Sequence, residues 1–251
     1  MSGLVTPTTT ETVSGRFIDL ANFKPTDFYL PDIAWSLSRQ ARYGGHSMSK
    51  VPYSVAQHTV MVSRYVEEAL TPGEPLNLVL HKYIEEQLFK YAFDSDPKQE
   101  VWQRHQESLN DITPEFRLMF SFHGLLHDFA EAYLMDLPTP VKRLPGLYEV
   151  YKKYELDLDE QIFRAFGLPY SKTKWPAMWE FGTMVVGWAD MYALAIEAYH
   201  FMPSRGEGWN LPIAKPTLSK LYSFRWPISN EQAYEELLAR CEELRPKLPP
   251  S

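Results

Sequence analysis

Phe122-His123-Gly124-Leu125-Leu126-His127-Asp128-Phe129-Ala130-Glu131-Ala132-Tyr133-Leu134-Met135-Asp136 sets two imidazoles and three carboxylates into an otherwise apolar helical pattern. Such groups are costly to bury without partners. Ahead of the stretch, Thr113-Pro114-Glu115 supplies an N-cap with proline at the first helical position, and behind it Leu137-Pro138-Thr139-Pro140 stops the helix. The pattern therefore predicts one helix running through the whole stretch, with His127 and Glu131 on one face a turn apart and Asp128 beside His127. An adjacent His and Asp offer a divalent cation two ligands from a single turn, and a carboxylate on the next turn reaches the water such a cation binds. Alone, the dipeptide is a weak signal whose ordinary reading is a solvent-facing pair. His123 and His127 also allow a rival zinc site, His-x-x-x-His with Glu131, but that leaves other residues described below unexplained.

Upstream, residues 1–14 are polar and threonine-rich and read as a flexible tail, with the folded domain spanning 15–251. Asp32 to Arg42 carries Ile33, Leu37 and Ala41 at helical spacing, ended by Gly44-Gly45. In the loop Arg42-Tyr43-Gly44-Gly45-His46-Ser47 two glycines let the backbone approach a ligand, Arg42 offers a planar fork to a phosphate and Tyr43 a ring to a sugar or base. The plain alternative is a helix C-cap with a surface arginine. Ser54-Val55-Ala56-Gln57 has capping-box spacing and opens a helix to about Glu68, with His58 near its start and Val55, Val62 and Val66 marking the buried side. Residues 71–112 read as a helical insertion of two amphipathic helices split at Asp94-Ser95-Asp96-Pro97, a lid or an oligomer contact. Leu76, Val79, Leu80, Tyr83, Ile84 and Leu88 stripe the first, Val101, Trp102 and Leu109 the second, and His81 and His105 read as solvated.

Downstream, Asp136-Leu137-Pro138-Thr139-Pro140-Val141-Lys142 is a proline-stiffened turn carrying an acid and a lysine, as suits groups that must be held in place. A helix from about Leu147 to Phe166 follows, with Val150, Tyr151, Tyr154, Leu158, Ile162 and Phe166 on one side and Gly167 at its end. The next, from Trp175 or Pro176 to about Met202, is mostly apolar, and within its run Met184-Val185-Val186-Gly187-Trp188-Ala189-Asp190-Met191-Tyr192-Ala193-Leu194 the anomaly is Asp190, which must point outward, bond to a donor or meet a cation. A C-terminal extension, 204–251, is irregular to residue 228 and then helical from Ser229 through Leu244, with Ala233, Leu237, Leu238 and Cys241 inward. The fold class is all-α, a single helical bundle with a helical insertion and a C-terminal helix.

At 45% hydrophobic and 14% aromatic content, 251 residues fill one large core. A net charge of −7 argues against binding the phosphate backbone of nucleic acid, which needs a basic face. The lone Cys241 excludes an internal disulfide and a cysteine zinc site and fits a reducing compartment. No apolar run is long enough to span a bilayer and the start Met1-Ser2-Gly3-Leu4 has no signal-peptide character, so a cytoplasmic protein is expected, in the host cytoplasm if a phage encodes it.

His58, His127-Asp128 and Asp190 give two imidazoles and two carboxylates on three helices, in the order H...HD...D. That order resembles the HD superfamily of metal-dependent phosphohydrolases, which are all-helical. Arg42-Tyr43-Gly44-Gly45-His46-Ser47, Val55-Ala56-Gln57-His58-Thr59, His127-Asp128-Phe129-Ala130-Glu131 and Asp136-Leu137-Pro138-Thr139-Pro140-Val141-Lys142 together are similar to the bacterial 5'-deoxynucleotidases and the phage dATP triphosphohydrolases, over residues 16–70 and 114–200. The resemblance implies that His58, His127, Asp128 and Asp190 ligate one divalent ion, Co, Mn, Mg, Zn or Fe. It makes Glu131 the acid handling the catalytic proton, Asp136 an acid near the attacking water or the sugar hydroxyl, and Arg42 a phosphate ligand. Tyr43 stands where the deoxynucleotidases carry a tryptophan against the sugar, a departure that opens the question of ribose against deoxyribose. Lys142 would compensate phosphoryl charge beside Arg42, and His46 has a counterpart without an assigned role. Residues 71–112 have no matching part.

The expected activity is hydrolysis of (deoxy)nucleoside 5'-monophosphates. Two alternatives stay open: release of triphosphate from a deoxynucleoside triphosphate at the same site, and a non-catalytic nucleotide-binding module. The expected partner is a nucleotide, with neither nucleic acid nor membrane, and a homo-oligomer is left open.

Overall fold

The computed structural model describes residues 5–91, 112–169, 171–211 and 227–245, with the side chains of 87–91 excepted. The expected second helix of the insertion, with Val101, Trp102, His105 and Leu109, lies outside them, as do residues 212–226 and the terminal prolines.

Among the described residues the fold is mostly helical, with one small hairpin, as the all-α reading expects. Strand β1 (Thr9–Glu11) pairs antiparallel with β2 (Phe17–Asp19). At residues 9–14 the structure departs from the flexible-tail reading. The reason is Asp32, buried in the first turn of α1 (Leu30–Arg39), whose carboxylate accepts from the Thr12 hydroxyl at 2.7 Å, the Ser14 amide at 3.1 Å and the Ser14 hydroxyl at 2.7 Å. The small polar residues that read as disorder are the donors that latch the hairpin to the helix.

Helix α2 (Val55–Ala69) is the axis of the bundle. Its N-cap Ser54 accepts from the Gln57 amide as the capping spacing predicts, while the Gln57 side chain takes the Ile228 amide instead of closing the box. Around it pack α3 (Pro75–Tyr91), α4 (Pro114–Leu126), α8 (Pro176–Phe201) and the C-terminal α9 (Asn230–Leu244), the last with a complete Ser229 and Gln232 capping box. Between α4 and α8 lie the short α5 (Glu131–Leu134) and α6 (Thr139–Lys142) and the long α7 (Tyr148–Phe166), which ends on left-handed Gly167. On α7 the buried stripe is Tyr151, Leu158, Ile162, Phe163 and Phe166, whereas Val150 and Tyr154, expected on that face, are exposed. Among the described residues, no helix is long and apolar enough to cross a membrane.

Two features fix α4 against α2. At Gly124 the backbones cross so closely that a Cβ would stand 3.1 Å from Val66 Cγ2 and 3.4 Å from Ser63 Cα. One helix position further along, α9 sends the buried Arg240 into the same seam, where Nε donates to Ser63 Oγ at 3.1 Å and a terminal nitrogen donates to Ser121 Oγ at 2.7 Å and to the Glu67 carboxylate. Ser63 and Ser121 already bond to one another's carbonyls, so the guanidinium closes a satisfied network of three helices. Replacing Arg240 with methionine is expected to lower unfolding stability by about 3 kcal/mol, the low end for breaking a buried pair because Glu67 is 39% exposed and regains water. Urea denaturation checks this, and a loss below about 1 kcal/mol would mean the network contributes little.

Candidate metal centre

The first ligand comes from the start of α2. His58 is fully buried, and its Nδ1 lies 2.7 Å from Oε1 of the equally buried Glu197, near the end of α8. A carboxylate only accepts, so Nδ1 donates to it, and Nε2 is the nitrogen that faces inward and carries the lone pair when the ring is neutral. The second comes from the end of α4. His127 is the C-cap, and its Nδ1 donates to the Gly124 carbonyl at 2.8 Å, which again leaves the lone pair on Nε2. Two imidazoles on two helices are thereby fixed in one tautomer, by the outer hydrogen bonds that metal-ligating histidines make.

Both Nε2 atoms face Asp128. Its Oδ2 is 3.2 Å from His127 Nε2 and 3.5 Å from His58 Nε2, and His58 Nε2 is also 3.0 Å from Asp190 Oδ1. The ligand atoms of His58, His127 and Asp128 all lie within 4.8 Å of one another, and Asp190 joins them through its contact with His58. Both Nε2 atoms are buried without a hydrogen bond. The electrostatics show the field at these two rings. Burial and the Arg42 charge press the His58 imidazole down, yet Glu197 and Asp190 hold it up at about 9. Burial presses on His127 as well, and Asp128 is the chief group that holds it at about 9. For Asp128 and Asp190 burial acts upward, but the two imidazoles pull both carboxyls below their ordinary range. The same negative potential that favours a proton on each imidazole favours a divalent cation in its place, held by two nitrogens and carboxylate oxygens.

The helix predicted to run through residue 136 is interrupted here, which corrects that reading. Helix α4 stops at Leu126, residues 127–130 form tight turns with i to i+3 bonds (Phe129 N to Leu126 O, Glu131 N to Asp128 O, both 3.0 Å), and α5 resumes at Glu131. The cause is local: the Gly124 carbonyl that would accept from the Asp128 amide in an α-helix is taken by the His127 ring. The interruption turns Asp128 inward beside His127, and Glu131 follows, buried, in the first turn of α5.

The other expected site residues divide. Arg42, in a short 3-10 turn (Arg42–Gly45), donates from Nε to Glu197 Oε2 at 3.0 Å and sets one terminal nitrogen 3.7 Å from Asp128 Oδ2. Tyr43 adopts a left-handed conformation (φ 62°), and its hydroxyl donates to the same Glu197 oxygen at 2.6 Å. Gly44 follows at φ 58°, against Pro138. His46 is exposed at the end of the turn. Glu131 has one carboxylate oxygen 3.3 Å from Lys142 Nζ and the other buried without a partner. Burial first, then the charges of Asp128 and Asp136, push its pKa well above the usual carboxylate range. Asp136 is half-buried, its carboxyl likewise raised, first by burial and against the pull of Arg42.

Three residues escaped the sequence reading. Glu197 gathers Arg42, Tyr43 and His58 onto one carboxylate, and its place seven residues after Asp190 on one helix, two turns along the same face, was a signal that could have found it. Gln40, at the end of α1, donates to the Glu131 carbonyl at 2.9 Å and accepts from the Asp136 amide at 3.0 Å, tying the two acids' backbone together. Glu155 on α7 lies 3.1 Å from Lys142 Nζ.

No known family's sequence profile matches the chain. It is similar to the uncharacterised protein YfdR of Escherichia coli strain K12, 27% identical over 234 residues that cover 93% of this chain and 94% of that protein. It is also similar to an uncharacterised protein of Rhodobacter capsulatus, 29% identical over 161 residues, 62% of this chain and 57% of that protein.

Proposed function

We propose that the protein is a metal-dependent phosphohydrolase that cleaves (deoxy)nucleoside 5'-monophosphates to the nucleoside and phosphate. The observation that carries this reading is the convergence of His58 with His127 and Asp128 from two distant segments, each imidazole locked by an outer bond with Nε2 turned inward. His58, His127, Asp128 and Asp190 would hold the ion. A bound divalent cation lowers the pKa of water from about 15.7 toward about 7 and so supplies hydroxide at neutral pH.

The rest falls to the chain's own groups. Arg42, held on Glu197 through Nε, keeps its terminal nitrogens at the edge of the site, where a phosphoryl oxygen beside Asp128 would accept from them. Glu131, held through one oxygen, has the other to take a proton from water or give one to the leaving 5' oxygen. Burial first, and then the charges of Asp128 and Asp136, push its pKa up, which favours the donor role in the cleavage step. Tyr43, whose hydroxyl is bound to Glu197, is left with its ring to meet a sugar or a base.

The test is turnover of nucleoside mono-, di- and triphosphates with Mn, Co, Mg and Zn, read by product identity. Inorganic phosphate and nucleoside from the monophosphates are expected. Release of intact triphosphate would replace this reading with a deoxynucleoside triphosphate triphosphohydrolase. No turnover, with calorimetric nucleotide binding, would replace it with a non-catalytic module.

A further inference from the structure

The lysine that the sequence sets beside a phosphate is already spoken for. Lys142 Nζ lies 3.3 Å from Glu131 Oε1 and 3.1 Å from Glu155 Oε1, and 4.8 Å above the centre of the Tyr151 ring. Neither restraint is loose. The other Glu155 oxygen accepts from Lys152 Nζ at 2.6 Å, so that carboxylate is clamped between two ammonium groups. The Tyr151 hydroxyl donates at 2.9 Å to the carbonyl of Met135, a left-handed residue (φ 69°) at the end of α5, so the ring beneath Lys142 is fixed to the backbone that follows Glu131. The Lys142 side chain is only 22% exposed and that of Glu155 15%. A lysine meant to capture a passing phosphoryl group needs a mobile stem and a free ammonium. This one is caged by two carboxylates and a ring.

We propose that Lys142 and Glu155 are positioning residues for Glu131: α7 supplies Glu155 to anchor the ammonium, and the ammonium fixes one oxygen of Glu131 so that the other, buried and without a partner, is presented in a single orientation. This rests on the hydrolase reading, since Glu131 is the proton-transfer group there. The gain is preorganisation: a proton-transfer group displaced by an ångström or a rotamer loses much of its effect. Glu131 otherwise has no side-chain partner among the described contacts to hold that orientation.

The roles separate in kinetics. If Lys142 held the substrate phosphate, Lys142→Met would raise KM, and Glu155→Gln, which frees the ammonium, would leave turnover intact. If the pair positions Glu131, both substitutions lower kcat, by about 10- to 100-fold within the range of general acid-base contributions, while KM stays within about threefold. Bound metal per chain and melting temperature, measured on each variant, separate this from misfolding, because neither residue touches His58, His127, Asp128 or Asp190. Glu155→Asp is expected to recover part of the loss and Lys153→Ala, on the neighbouring exposed position, to cost nothing. Unchanged kcat in Glu155→Gln, or a KM effect confined to Lys142→Met, would overturn the assignment while leaving the hydrolase standing. Absence of turnover in the wild-type protein would overturn the hydrolase reading and this assignment with it, whatever the variants do.

Discussion

If the protein is the hydrolase proposed above, replacing Asp128 with asparagine is expected to abolish binding of a divalent cation and to lower kcat/KM on a nucleoside monophosphate by on the order of 10³-fold, about 4 kcal/mol of barrier. The size follows from where the side chain sits. Oδ2 of Asp128 is the atom on which His58 Nε2, His127 Nε2 and a terminal nitrogen of Arg42 converge, at 3.5, 3.2 and 3.7 Å. An amide keeps the shape and removes the charge that draws a cation to the two imidazoles. The fold has little to lose, since Asp128 contributes its carbonyl, not its carboxylate, to the turn leading into α5. Metal content by mass spectrometry, melting temperature and steady-state kinetics on the same preparation check this. A variant with one full equivalent of metal and wild-type turnover would remove Asp128 from the centre.

The helices were legible because their punctuation is local. Ser54, Thr113 and Ser229 cap where the spacing places them, Gly167 ends α7, and the starts and stops of α2, α7, α8 and α9 fall within a residue or two of the predicted ones. What went astray depended on side-chain bonds that periodicity does not register. The hairpin at residues 9–19 is held by Asp32, which sequence spacing does not connect to Thr12 or Ser14. Likewise the break after Leu126 arises because a side chain displaces an amide at the Gly124 carbonyl, an exchange that a hydrophobic period cannot reveal.

The candidate site was legible in its metal-facing residues for a different reason. Asp128 and Asp190 are polar groups in apolar surroundings, and buried polarity is the anomaly that a sequence displays. The residues that hold these in place were not legible. Glu155 lies in a helix rich in charged residues, where a glutamate is unremarked, and Glu197 lies beyond the apolar run that makes Asp190 stand out; what distinguishes both is which donor reaches them across the bundle. Lys142 shows the same limit from the other side: its residue type suggests phosphate, and only the positions of Glu131, Glu155 and Tyr151 around it suggest an internal partner.

Glu197 is where this distinction has its largest consequence, through the substitution Glu197→Gln. Three donors meet its carboxylate: His58 Nδ1 on one oxygen, Arg42 Nε and the Tyr43 hydroxyl on the other. A glutamine has one acceptor oxygen and one NH2 group, and it must choose. With the oxygen toward His58, the NH2 confronts the Arg42 Nε–H, a buried charged donor that cannot turn its hydrogen away, at a cost of about 1–3 kcal/mol or more. With the oxygen toward Arg42 and Tyr43, the NH2 donates to His58 Nδ1, which must then give up its proton. The imidazole is left protonated on Nε2, the nitrogen that faces Asp128 and Asp190, and a protonated nitrogen does not ligate. The second orientation satisfies the arginine and is therefore favoured. Glu197→Gln is thus expected to weaken metal binding by 10- to 100-fold, the range for losing an outer-shell partner of a ligating histidine, and to move the His58 proton from Nδ1 to Nε2 in ¹⁵N NMR. Activity should return in part at saturating metal, where mass action opposes the tautomer shift. Wild-type metal affinity with His58 still protonated on Nδ1 would show that the histidine's orientation does not depend on Glu197, and the carboxylate would then matter only for seating Arg42 and Tyr43.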